Sequence, residues 1–175
     1  MKKVYVERVV LNILNNTPIV ILRSDEGEVL PIVIGIFEAQ SILLVLEKAE
    51  FPRPLTHDLM KIIIEVLKGK MQRLEIYTLK DNIYYANLVI EVEGKIEKVD
   101  CRPSDGIALA LRFGAPIFAS EDLLESPDII KYYDSKDFLQ SNKLDKPIDK
   151  KEVEEFRRII ENLSAKEFWK RIKEE

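Results

Sequence analysis

The sequence holds one histidine, one cysteine and one tryptophan among 175 residues, and each scarcity excludes a class of protein. A lone Cys101 cannot close an internal disulfide, so a scaffold held by cross-links is excluded and a reducing compartment is expected. With His57 as the sole imidazole and no cysteine pair, a zinc site cannot be assembled from its usual ligands. No apolar run approaches the roughly 20 residues of a membrane span. The amino-terminal Met1-Lys-Lys-Val-Tyr-Val-Glu-Arg8 places charges where a signal peptide needs an unbroken apolar core. A cytoplasmic protein without membrane association is therefore expected. Positive charge is not in excess either. A net charge of −4 and a pI near 5.3 exclude a protein that holds nucleic acid through a broad basic surface, because such surfaces neutralise many phosphates with Lys and Arg. Any nucleic-acid contact has to be local, transient or metal-assisted. A phosphate-cradling glycine loop, a G-x-S-x-G elbow and a basic, aromatic-rich strand are also missing.

What is present is a folding chain. Apolar residues make up 46% and charged residues 33%, which gives one domain enough material for a substantial core. Abundant Lys, Glu and Ile beside three Gln point to a thermophile.

Residues 3–14 are β-branched and aliphatic with partial alternation and read as a strand. Asn15-Asn16 is a turn, 18–23 a second strand, Ser24-Asp-Glu-Gly27 a turn and 29–34 a third strand. From Ile36 to Ala49 the period becomes helical, with Ala39, Ile42, Leu43, Leu46 and Ala49 predicted as one buried stripe. Phe51-Pro-Arg-Pro54 is expected to end this helix, because a residue before proline is pushed out of the α region. Thr56 then reads as the N-cap of a second helix with Leu59, Ile62, Ile63, Val66 and Leu67 on its apolar face and Gly69 at its C-terminal stop. Strands are predicted over 74–79, 84–92 and 96–101, with turns at Asp81-Asn82 and Glu93-Gly94. Pro103 suits the first turn of a third helix with Ile107, Ala108, Leu111 and Phe113 inward, and 116–119 is a short strand.

The two halves superpose without a gap at a constant shift of 67 residues, which lays Gly27 on Gly94, Ile34 on Cys101, Glu38 on Asp105 and Phe51 on Phe118. The expected fold class is α+β: a duplicated strand-strand-strand-helix unit, about 3–51 and 70–118, forming a mixed or antiparallel sheet with helices packed on it. This domain spans 1–130. A surface loop at 131–149 and amphipathic C-terminal helices at 150–175 follow. Both capping boxes of that tail, Asp149-Lys-Lys-Glu152 and Ser164-Ala-Lys-Glu167, precede apolar stripes.

The chemistry-bearing residues gather where strands end and helices start: Glu38, Arg53, His57, Asp58, Arg102, Ser104 and Asp105. Two arginines can grip phosphate oxygens in bidentate fashion, acids can activate water or hold a hard cation, and a histidine can shuttle a proton near neutral pH. Each also has a plain structural alternative. Glu38, Asp58 and Asp105 are favourable first-turn acids on helices. Arg53 can stack between its prolines and pair with Glu50, His57 can be an exposed first-turn residue, and Ser104 can be a cap.

The stretches Phe51-Pro-Arg-Pro-Leu-Thr-His-Asp-Leu59, Arg102-Pro-Ser-Asp-Gly-Ile-Ala-Leu-Ala110 and Gly114-Ala-Pro-Ile117 resemble the bifunctional nuclease family. The resemblance takes in Leu30-Pro-Ile-Val-Ile-Gly-Ile-Phe-Glu38 and Lys80-Asp-Asn82 and covers about residues 3–130. It implies an α+β domain that self-associates, a homodimer being expected, and an enzyme that hydrolyses phosphodiesters in RNA and DNA with little sequence preference. Carried onto this chain, it implies catalytic roles for Glu38, His57, Asp58 and Asp105 and substrate binding by Arg53, Arg102 and Ser104. Mg2+ or Mn2+ held by Glu38 and Asp105 is the expected cofactor. Gly106 departs from the family, which more often has alanine there. The alternative is a non-catalytic binding or regulatory module in which the same polar residues form a structural network.

Overall fold

The computed structural model describes residues 1–12, 17–49 and 51–125, all within one compact unit. The turn expected at Asn15-Asn16, the loop at 131–149 and the C-terminal helices lie outside the described residues.

Three strands open the chain: β1 (Lys2–Asn12), β2 (Thr17–Ser24) and β3 (Val29–Val33). Helices α1 (Ile36–Leu46) and α2 (Thr56–Val66) follow, then strands β4 (Gly69–Lys80), β5 (Ile83–Val92) and β6 (Lys95–Cys101). Helix α3 (Pro103–Phe113), strand β7 (Ile117–Ala119) and a 3-10 turn at Glu121–Leu123 complete the described elements. The strands form one sheet in the order β3-β2-β1-β7-β4-β5-β6. Short strand β7 lies antiparallel to β1 and parallel to β4, which makes the sheet mixed; each three-strand half is an antiparallel meander. Both meanders lead into a helix, α1 after β3 and α3 after β6. The α+β class read from the sequence is the observed one.

Hairpin chemistry explains the tight connections. Asp81 and Asn82 have φ of 51° and 61°, and Glu93 and Gly94 have φ of 52° and 79°, the left-handed pairs that two-residue turns between twisted strands require. The main core lies between the helices and one sheet face, with Val20, Leu22, Leu30, Leu74, Ile76, Ile42, Ile107 and Leu109 among its buried members. Ile19, Ile21 and Val29, alternating with them along β2 and β3, form a smaller cluster with Val10.

Three expectations require correction. First, α1 ends at Leu46, not at the prolines: Lys48 takes a left-handed φ of 51°, so Leu46 and Ala49 fall outside the buried stripe, and its fully buried members are Ala39 and Ile42. Second, Thr56 is the first helical residue of α2 and Leu55 is its N-cap. There Asp58 Oδ2 accepts the Leu55 amide at 2.9 Å, a bond from the third helical residue back to the N-cap that stands in place of the hydroxyl cap expected at position 56. Third, Gly69 begins β4 and Lys68 supplies the left-handed stop at φ 58°. Gly69 is needed for closeness: a Cβ there would stand 2.9 Å from Ile64 Cγ2 and 3.0 Å from the Ile64 carbonyl. The apolar face of α2 is exposed. Leu59, Ile62, Ile63, Val66 and Leu67 all face solvent, and Ile64 packs against the core instead. No helix among the described residues is long and apolar enough to cross a membrane.

Candidate active site

The first turns of α2 and α3 meet the side of α1, and α3 packs on both of the other helices. Glu38 and Ser41 stand three residues apart on α1 and so share a helix face. His57 is the second residue of α2 and Asp105 the third of α3. The result is a continuous chain of contacts. Ser41 Oγ lies 2.7 Å from His57 Nδ1, and His57 Nε2 lies 3.2 Å from Asp105 Oδ1. Arg102 donates to Asp105 through Nε at 2.7 Å and Nη2 at 3.2 Å, and its Nη1 meets Glu38 Oε1 at 2.8 Å. One guanidinium thus spans the two acids that the 67-residue shift aligns.

Local sequence makes this possible. Gly35, the N-cap of α1, leaves space for the Glu38 carboxylate, which folds back over it where any Cβ would collide with Oε2. Arg102 is the N-cap of α3 and Pro103 its first residue, which fixes the chain direction three residues before Asp105. The His57 side chain is 11% exposed, whereas that of Arg102 is 66% exposed. The cluster is therefore closed around the imidazole and open at the guanidinium. The hydrogen bond with Asp105 and then its charge hold the Arg102 guanidinium above its ordinary pKa; burial opposes this and Glu38 adds to it.

Asp58 belongs to a neighbouring arrangement. Its Oδ1 accepts Arg112 Nε at 2.6 Å, and Arg112 Nη1 donates to the carbonyls of Ser41 and Ala108, both at 3.0 Å. The Arg112 side chain is only 6% exposed. Lys61 adds a bond from Nζ to the Arg112 carbonyl at 2.9 Å. Partial burial pushes the Asp58 pKa up, but the Arg112 bond, the Leu55 amide and the nearby positive charge outweigh it and hold the carboxyl below its usual range. Arg53 is exposed in the bend before α2 and Ser104 is buried in the first turn of α3; neither makes a bond into the Ser41–His57–Asp105–Arg102–Glu38 chain.

Glu38, His57, Arg102 and Asp105, singled out in the sequence, therefore come together, while Asp58 sits beside them on Arg112. Ser41 and Arg112 were not anticipated. Ser41 reads as a filler in an apolar helix and Arg112 as a last-turn cation; the one available signal was the spacing of Glu38 and Ser41 on one face. Carboxylates suit hard cations such as Mg2+ and Mn2+. Here Asp105 gives both oxygens to Arg102 and His57, and Glu38 gives Oε1 to Arg102. Among the described residues no three His, Cys, Asp or Glu side chains are grouped to hold a metal ion. These donors do not fit a resident cation while Arg102 occupies them. Cys101, at the end of β6, has its thiol pushed up to about 11, chiefly by burial.

Comparisons with known proteins bear on the same residues. An uncharacterized protein of Mycobacterium tuberculosis, Rv1829 in strain H37Rv and MT1877 in strain CDC 1551, is 34% identical over 154 residues, covering 87% of this chain and 89% of that protein. Bifunctional nuclease 2 of Arabidopsis thaliana is 24% identical over 169 residues, covering 85% of this chain and 51% of the plant protein. A family model described as the bifunctional nuclease domain matches residues 20–131, a span that holds Glu38, Ser41, His57, Arg102 and Asp105. The chain belongs to the bifunctional nuclease domain family.

Proposed function

We propose that this chain is a nuclease that hydrolyses phosphodiester bonds in RNA and DNA without sequence preference, acting at the cluster of His57, Asp105, Arg102 and Glu38. The observation that carries this reading is the histidine clamped between a hydroxyl and a carboxylate, beside an arginine whose guanidinium reaches solvent. Arg102 moves from the carboxylates to the phosphate oxygens, which match its planar fork as well as a carboxylate does. Arg53, exposed before α2, is the second phosphate contact. Asp105 orients His57, which moves the proton, and Glu38, relieved of Arg102, orients the attacking water. Asp58 serves by fixing the start of α2 through Leu55 and Arg112. The effect of Mg2+ or Mn2+ is a variable of the assay. Substrate binding is transient, in keeping with a net charge of −4. The exposed apolar face of α2 supports self-association as a homodimer.

A second reading, a non-catalytic module, is favoured by one observation: Glu38, Asp58 and Asp105 each already have a cationic partner within the protein. The deciding experiment is cleavage of labelled single-stranded RNA and DNA by purified protein, with Mg2+, Mn2+ or chelator, beside a Glu38→Ala/Asp105→Ala double variant whose fold is verified by circular dichroism. Wild-type cleavage that disappears in the folded variant is expected. Equal cleavage by both removes the cluster from the chemistry, and no cleavage by either supports the non-catalytic module.

A further inference from the structure

We propose that the Ser41 hydroxyl is the proton relay through which His57 acts, an inference that rests on the nuclease reading above. Both imidazole nitrogens are occupied within the protein, Nε2 by Asp105 and Nδ1 by Ser41. An ionised carboxylate only accepts, so neutral His57 carries its proton on Nε2 and turns the Nδ1 lone pair to the Ser41 hydroxyl. Neither nitrogen has a free direction toward a substrate, and the imidazole itself is largely enclosed. Ser41 is half-buried and is the end of this chain that can accept a further hydrogen bond.

The position of Ser41 is fixed from two sides. Its side chain is directed at His57, and its carbonyl accepts Arg112 Nη1 at 3.0 Å. Arg112 is in turn held by Asp58, so the groups around the relay are Glu38 on its own helix, Asp58 on α2, and Asp105, Arg102 and Arg112 at the two ends of α3. In the forward step a water gives a proton to Ser41 Oγ as Ser41 gives its own to His57 Nδ1. The hydroxide attacks phosphorus and the bond from phosphorus to the leaving sugar oxygen breaks. The imidazolium then donates from Nδ1 to Ser41 Oγ, whose proton passes to the leaving oxygen, and His57 returns to neutral. The same short contact serves in both directions because a hydroxyl both donates and accepts. Ser41 was illegible in the sequence because the pattern of α1 shows only that it lies on the face of Glu38.

The test uses the fact that His57 is the only histidine. With ring-15N-labelled histidine, the wild type shows a single imidazole pair with Nδ1 in a hydrogen-bonded state. In Ser41→Ala the Nδ1 signal moves toward that of a more weakly bonded nitrogen and cleavage falls about 10–100-fold, since water replaces the hydroxyl imperfectly, and Ser41→Thr restores both. Alanine is a better helix former than serine, so loss of folding is not expected to obscure the result. Ser41→Ala cleaving at the wild-type rate overturns the relay alone. Labelled phosphate trapped covalently on Ser41 overturns it in favour of a nucleophilic serine. Absence of wild-type cleavage overturns the relay together with the nuclease reading.

Discussion

Asp58 shows how one carboxylate can be tied to folding more than to chemistry. It accepts from the Leu55 amide at the start of α2 and from Arg112, whose side chain is almost wholly enclosed. Replacing it by Asn leaves a buried guanidinium without its counter-charge, and we expect Asp58→Asn to cost about 1–3 kcal/mol at neutral pH, read from denaturant midpoints. Because the folded-state pKa lies below the ordinary carboxylate value, the native state binds the proton more weakly than the unfolded chain does. This contribution is full above the unfolded pKa of about 3.9 and fades as pH falls through the folded one. The wild-type and Asp58→Asn stabilities should therefore converge in acid; a gap that stays constant from neutral to acidic pH would show that the charge is not the source. That Asp58 is a favourable first-turn acid was legible in the sequence; that it bonds the Leu55 amide was not, because the cap was expected at Thr56. Nor was its hold on Arg112, 54 residues on.

At the scale of the element, α3 is the helix most tied to the core. Ile107, Ala108, Leu109 and Ala110 are consecutive and buried, so the helix is enclosed on nearly all sides. Its Gly106 lies on Leu74 of β4: an added Cβ would collide with a Leu74 methyl and stand 3.2 Å from Cys101 Sγ. An alanine there gains about 1 kcal/mol of helix propensity but forces a fully buried leucine to shift, which costs about 1–3 kcal/mol. Gly106→Ala is expected to lower the melting temperature, and adding Leu74→Val, which withdraws the colliding methyl, should recover the loss. If the double variant is no more stable than Gly106→Ala alone, Leu74 is not what the glycine accommodates. Read in sequence, Gly106 was a slightly weakened helix. In the fold it is a space reserved for the sheet, a distinction that requires knowing that α3 packs on β4. Helix α2 differs the other way: its period and apolar face were read correctly, but that the face stays exposed was not legible.

For the molecule as a whole, that face is a prominent exposed apolar surface among the described residues, with Ile63 48% and Val66 74% exposed. A row of five large apolar side chains on one helix is more than soluble monomers ordinarily leave open, which motivates the homodimer. Light scattering should give a mass above 20.3 kDa for the wild type and a monomer for Ile63→Glu, whose charge cannot be buried unpaired in an interface. A monomeric wild type removes the proposal, and an associated Ile63→Glu moves the interface to another surface. The sequence by itself determined the strands, the hairpin turns, the helix periods and the set of polar residues at element boundaries. These depend on local backbone preferences and on side-chain period, which act within a few residues. Tertiary structure alone decided that Glu38 and Asp105 share one guanidinium, that Ser41 meets His57, that Asp58 is given to Arg112 and that the α2 stripe is left uncovered. The physical reason is range: each of these contacts joins residues brought together by the docking of α1, α2 and α3 beside one another, and hydrophobic period records only that a face is apolar, not what it meets.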